Sequence, residues 1–250
     1  DCGRRVDGLL MEIKRFYASG DPASGKLYIE GEELYHLSKV LRYKAGYKAV
    51  ACTGDGWDYM CTVESVERDI AVLKVDGKQP CEGDPEFEVT LFQSQPKSAK
   101  VDFIVQKAVE LGAGRIVFFT SRYSAEEKFN LRRAEKIAAE ACKQCGRSRL
   151  VAIDFVEGFE KALDMCTAER VVMPYERAVG GNMHAALSGS GNCAVDLIIG
   201  SEGGFSEEEA LLAKERGARL ISLGKRILRC ETAAAVALAL VQYERGQLGA

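Results

Sequence analysis

The chain has 250 residues, 47% of them apolar and 28% charged, with a formal net charge of −3. That is enough length for one large or two modest domains with real cores, and the composition excludes disordered and fibrous classes. No apolar run approaches the ~20 residues of a membrane span, and the slightly acidic balance gives no global pull toward nucleic acid, so any RNA contact must come from a local basic patch.

The leading residues, DCGRRVDGLL, carry Arg4-Arg5, a pair that would signal export ahead of a continuous apolar segment. Asp7, Glu12 and Lys14 interrupt any such segment, so export is not expected, and Met11 is a candidate initiator. GDPASGKL, Gly20 to Leu27, has the spacing of a phosphate loop but lacks the hydroxyl residue that would hold magnesium and runs into a strand, so it reads as a turn. The segments KLYIE, KAVACTGDGWDYMCTV and IAVLKV read as short strands, with Asp55-Gly56 as a hairpin turn and ELYHLSKVLR as one helical piece. They predict a small β-rich domain over 11–79, a barrel. DGKQPCEGDP, Asp76 to Pro85, is polar, holds two prolines and two glycines, and reads as a linker.

From 86 to 250 the pattern alternates. FEVTLFQ, RIVFFT, LVAIDFV, RVVMPY, AVDLIIG and RLISLG are apolar strand segments. VDFIVQKAVEL, Leu131 to Cys145, EEEALLAKERG and TAAAVALALVQYERG carry helical spacing. Continuous apolar strands between helices predict an α/β domain with a parallel sheet covered on both faces. GSGNCA, Gly189 to Ala194, precedes a strand where a dinucleotide fingerprint would follow one, so it reads as a loop. The nine cysteines are scattered and read as reduced thiols. Cys142 and Cys145 form a CxxC, but His36 and His184 are distant in sequence and no second pair exists, so the two read as small residues on a helix and no metal is expected.

The strongest local signal is LIIGSEGGFSEEE, an apolar strand, a turn with Gly200, Gly203 and Gly204, and a helix opened by a Ser206/Glu209 capping box with Phe205 packing back. Glu207, Glu208 and Glu209 at that helix start would repel an anion, so a neutral or cationic ligand suits the turn. Ligands of open α/β sheets bind outside the carboxyl ends of the strands. Three such ends carry notable residues: Tyr175-Glu176 in MPYE, the glycine turn, and LGKRILRCET with Arg226, Arg229 and Glu231. They predict the three walls of one pocket.

IIGSEGGFSEEE with LGKRILRCETAAA, together with DFIVQKAVELGA, EACKQCGRSR, KRFY and HLSKVLR, resembles the bacterial 16S rRNA (uracil-N3) methyltransferases of the RsmE type, in the SPOUT superfamily, over nearly the whole chain and in the same order. The resemblance implies a PUA-like RNA-binding β-barrel over 11–79 and a SPOUT-type knotted α/β methyltransferase domain over 86–250. It also implies S-adenosyl-L-methionine as cofactor, a homodimer, and ribosomal RNA as partner. Free rRNA and an assembled small subunit both stay open as substrate, a small acidic protein with so large a substrate favouring the assembled subunit, and the reduced thiols and lack of a membrane span point to a cytoplasmic protein with neither metal nor membrane. The cofactor residues it implies are Tyr175, Glu176, Gly200, Ser201, Glu202, Gly203, Gly204, Leu223, Gly224, Ile227, Leu228 and Thr232.

On this resemblance Arg229 stabilises negative charge on the uracil oxygens. Glu231 is either the base or the group that orients Arg229, and the orienting role is preferred because a carboxylate beside an arginine is a weak base. Arg122 matches a family arginine and completes the catalytic set. RNA contacts are expected from Arg15, Tyr17, His36 and Arg42 on the first domain and from Lys97, Lys100, Lys107, Arg147 and Arg149 on the second. Phe16 and Tyr17 are base-stacking or core aromatics, His36 is structural or functional, and Arg132, Arg133, Lys136 and Lys143 follow phosphates or form a solvated helix face. Ser201 stands where the family usually has Pro, Cys230 where it has Thr, and Val151 where a Pro is usual. The alternatives are a methyltransferase acting on another RNA and a non-catalytic RNA-binding protein of the same fold.

Overall fold

The computed structural model describes residues 13–189, 191 and 193–249. Arg4-Arg5 and Met11 lie outside them. The chain forms two compact units: residues up to Asp84 together with Gly146–Arg149, and Pro85–Cys145 together with the chain from Leu150.

In the first unit, β1 (Arg15–Tyr17), β2 (Lys26–Ile29), β3 (Lys48–Cys52), β4 (Trp57–Val66) and β5 (Ala71–Pro80) form a sheet of order β1-β3-β4-β5-β2. Every pairing is antiparallel except β1 with β3. Alternating burial along β3 and β4 sends Ala49, Ala51, Cys61 and Val63 inward beside Phe16, Leu27, Ile29 and Leu73. Two register shifts bend β4, and the sheet curls until its edges meet at one isolated bridge, Ser19 with Tyr28. Beyond that bridge no ladder closes the expected barrel among the described residues. The sheet's edge strands, β1 and β2, are three and four residues long.

Helix α1 (Gly31–Tyr35) runs into a π-helical turn, His36–Val40. Leu34 and Leu37 enter the core, while Tyr35, His36 and Val40 stay exposed. The stretch read as a linker is half strand, since Asp76–Pro80 continue β5 against the long β4. Gly146–Arg149 docks here as well. Ser148 Oγ donates to the Trp57 carbonyl at 3.0 Å, Tyr17 Oη donates to the Arg147 carbonyl at 3.2 Å, and Arg147 pairs with Asp84 at 3.6 Å with both side chains buried.

The second unit holds β6 (Val89–Ser94), α2 (Ser98–Glu110), β7 (Arg115–Phe119), α3 (Leu131–Cys145), β8 (Ala152–Val156), α4 (Phe159–Asp164), β9 (Arg170–Pro174), α5 (Met183–Leu187), β10 (Val195–Ile199), α6 (Glu207–Glu215), β11 (Arg219–Ile221) and α7 (Cys230–Glu244). The six strands are all parallel, in the order β11-β9-β10-β6-β7-β8. β10 is buried at every residue, as a central strand covered on both faces must be. The chain moves outward from β6 through β7 and β8, then crosses to β9 and returns to lay β10 between β9 and β6. That reversal sets the carboxyl ends of β9, β10 and β11 side by side.

Candidate active site

The loops that leave those three strand ends enclose a cavity of about 250 Å³. Pro174–Glu176 form one wall, Ile199–Phe205 the second, and Ser222–Leu228 with Cys230 and Ala233 the third. Of the residues expected to hold a cofactor, all but Thr232 line it. Thr232 is exposed on the first turn of α7, where the 100° step per residue turns it away and gives its place to Ala233. Lining residues that the sequence reading did not single out are Pro174, Ile199, Ser222, Lys225 and Ala233. They lie between or beside the motif residues, and the helical step accounts for Ala233.

Hydrogen bonds tie the walls to the sheet. Tyr175 N–H donates to the Ile221 carbonyl at 2.9 Å, and Ser222 N–H donates to the Gly181 carbonyl at 3.0 Å. Buried Gln93 donates from Nε2 to the Gly200 carbonyl at 3.0 Å. Ser201, in place of the family's usual proline, is buried and donates from Oγ to the Tyr123 carbonyl at 2.6 Å. The loop thus gains a tether where a ring would have stiffened it.

Two glycines make the turn possible. Gly204 has φ of +67°, and a side chain there would meet the Glu176 carboxylate at 3.3 Å. A Cβ on Gly203 would stand 2.5 Å from Tyr123 Cβ. Gly203 is therefore required by packing against Tyr123.

The expected arginine cluster is distributed over three hollows. Arg226 lines the main cavity. Arg229 is the N-cap of α7 and lines a neighbouring hollow of about 300 Å³ with Lys100, Glu202, Ile227, Leu228 and Cys230. Arg122 lines another, of about 430 Å³, with Glu176, Arg177, Gly203 and Glu207, and pairs with the exposed Glu208 at 3.2 Å.

Glu231 makes its ion pair with Lys100 Nζ, at 2.9 Å, not with Arg229. Burial pushes its carboxyl up, but the Lys100 hydrogen bond and its own backbone amide outweigh this and hold it below the usual range. Glu202 behaves alike: burial raises it, while its own amide, Lys100 and the Lys97 amide bring it lower. Cys230 is pushed up to about 12 by burial and by the Glu231 hydrogen bond.

The residues expected to meet RNA fall into two groups. Arg15 is held inside the first unit by a bidentate pair with Asp58, at 2.5 and 2.7 Å, and Arg147 is buried on Asp84. Lys107 pairs with Glu110 at 2.7 Å, and Lys100 with two glutamates. All four are engaged by carboxylates, and of these Arg15 and Arg147 are the most buried, as a charge leaving water requires a partner. Tyr17 is half-buried, and His36, Arg42, Lys97 and Arg149 are exposed. Arg42 has φ of +56°, the sole positive φ outside glycine among the described residues. On α3, Arg133 pairs with Asp102 at 2.5 Å.

Three glycine-bearing loops converging outside the carboxyl edge of a parallel sheet define a ligand-binding α/β domain of the kind that holds nucleotide-like cofactors. A family profile described as RNA methyltransferase domain matches residues 83–242. The ribosomal RNA small subunit methyltransferase E of Bacillus subtilis is 29% identical over 229 residues, covering 86% of this chain and 89% of that protein. That of Mesomycoplasma hyopneumoniae is 32% identical over 157 residues, covering 60% and 67%. The crystal structure of a ribosomal RNA small subunit methyltransferase E from Neisseria gonorrhoeae, bound to S-adenosyl methionine, is 29% identical, covers 93% of this chain and 98% of its own, and superposes with a TM-score of 0.81. The chain belongs to the RNA methyltransferase family, in its small-subunit methyltransferase E branch.

Proposed function

We propose that the chain methylates N3 of a specific uridine in 16S ribosomal RNA, using S-adenosyl-L-methionine. The observation that carries this reading is the cavity at the three strand ends, in a chain that aligns almost end to end with a relative solved with that molecule bound. The residues fit the cofactor. Ile199, Phe205, Leu223, Ile227 and Leu228 offer apolar surface to an adenine, Glu176 and Glu202 suit ribose hydroxyls and a sulfonium charge, and Lys225 and Arg226 suit a carboxylate. Bound there, the cofactor supplies an electrophilic methyl group on sulfur.

The chain's own task is at the uracil. N3 is protonated at neutral pH, so methylation needs the base oriented in line, its proton removed, and charge on its oxygens stabilised. Arg229, exposed beside the cavity, is the donor to those oxygens. Glu231, engaged by Lys100 and held ionised, serves orientation better than proton removal. Arg122 lies one hollow away and reaches the base only by leaving Glu208.

The curled five-stranded sheet supports a PUA-like RNA-binding unit, with His36, Arg42 and Arg149 among its exposed residues. The three converging loops support the knot of the SPOUT class. A homodimer, an assembled small subunit as substrate and a cytoplasmic setting complete the proposal; no described helix is long and apolar enough to cross a membrane.

The test is transfer from labelled S-adenosylmethionine to small ribosomal subunits that lack the modification, with the product nucleoside identified by mass spectrometry. N3-methyluridine at one position is the expected result. Label on another nucleoside, or on another RNA alone, refutes the assignment.

A further inference from the structure

Lys100 stands in the first turn of α2, at the positive end of the helix dipole, where a cation is disfavoured. Its ammonium lies 2.9 Å from Glu231 Oε2 and 3.2 Å from Glu202 Oε1, with Cys230 Sγ at 3.7 Å. The three charged side chains are 17 to 31% exposed, so solvent screens them only in part. The Lys97 amide also donates to Glu202 Oε1, at 3.3 Å. Around the same hollow stand Ile227, Leu228, Cys230 and Arg229, the last being its other cation.

Glu202 belongs to the second wall of the cavity, and Glu231 sits between Cys230 and Ala233 of the third. One ammonium on a third element therefore joins two walls that nothing else in this hollow bridges with charge. Resting on the reading of the cavity as the S-adenosylmethionine site, we propose that Lys100 is a positioning residue: it clasps Glu202 and Glu231 and so sets the spacing of the two loops between which the cofactor lies.

The consequence is specific. Without the ammonium, two carboxylates face each other across a half-buried hollow, and like charges so placed must part or share a proton. At neutral pH they part, and the loops move with them. On acidification one carboxylate takes up a proton, the repulsion ends, and the loops return. In the wild type both carboxylates are held below their usual range, so the clasp persists across the same span of pH.

The experiment is calorimetric titration of the full chain with S-adenosylmethionine from about pH 8 to about pH 5.5, a window above ordinary carboxylate pKa values. The proteins are wild type, Lys100→Met and Lys100→Arg. Lys100→Met binds about tenfold more weakly at pH 8, a difference of about 1.4 kcal/mol, and approaches wild type at the acid end. Lys100→Arg stays within a few-fold. A general packing role would lower the melting temperature without any recovery on acidification. The proposal is overturned if Lys100→Met binds like wild type at pH 8, or is equally weak across the range. A wild type that binds no S-adenosylmethionine overturns the cofactor reading itself, and that failure is recognisable because the other shows only in the variants.

Discussion

Replacing Gly203 by Ala tests how the glycine turn is built. The new Cβ would lie 2.5 Å from Tyr123 Cβ, closer than real Cβ contacts come, and 3.1 Å from its Cγ, tighter than most. Tyr123 also accepts the Ser201 hydroxyl hydrogen bond on its backbone carbonyl, so it cannot retreat without slackening the second wall. Overpacking of this kind costs about 1–3 kcal/mol. If the loop moves as a unit, most of that appears in cofactor affinity, a loss of about 5- to 150-fold by calorimetric titration. The contact is with Tyr123 Cβ itself, so trimming the ring does not relieve it. Gly203→Ala/Tyr123→Ala remains weak, whereas Gly203→Ala/Tyr123→Gly recovers. Affinity within about twofold of wild type in Gly203→Ala would refute the packing argument.

Arg229→Ala should lower methyl transfer by about 100-fold or more, as loss of an oxyanion donor does, with cofactor affinity changed only a few-fold; near-normal turnover removes it from the chemistry. Asp58→Ala strands Arg15 inside the first unit and should cost about 3 kcal/mol in denaturant unfolding, while a change under about 1 kcal/mol would mean that the guanidinium finds water. Glu202 and Glu231 have folded-state pKa values below their unfolded ones, so their stabilisation is fully present above the ordinary carboxylate value of 4.5 and is lost as pH falls below it. Acid titration of the melting temperature should show that loss, reduced in Lys100→Met. The Cys52 thiol, pushed up to about 12 by burial, should resist alkylation at pH 8 in the folded chain and react on unfolding.

The second unit was legible because its strands are apolar throughout and its longer helices span several turns. α3 runs over Leu131–Cys145, the bounds that its spacing predicts. Helices α4 and α5, of six and five residues, were not legible: fewer than two turns leave no period to detect. In the first unit the strands were readable but their closure was not, because closing a sheet depends on curvature and on edge length, which alternation does not encode. The continuation of β5 through Gly77 and Pro80 was hidden by residues that ordinarily mark a turn.

At the site, backbone positions were legible and charge pairing was not. Strand ends, glycines and the capping box are local signals, and they pointed to the three walls. Partners are separated by long stretches of chain: Lys100 meets Glu231 131 positions later, and Arg15 meets Asp58 43 later. A basic residue therefore reads the same in the sequence whether it faces RNA or a buried carboxylate. One clue was available for Lys100, a cation in the first turn of α2, set against the dipole. Such a placement is unfavourable unless opposite charge converges on it from elsewhere, and here Glu202 and Glu231 supply that charge from two walls of the cavity. The misplacement points to tertiary pairing, and the pairing found joins Lys100 to Glu202 and Glu231.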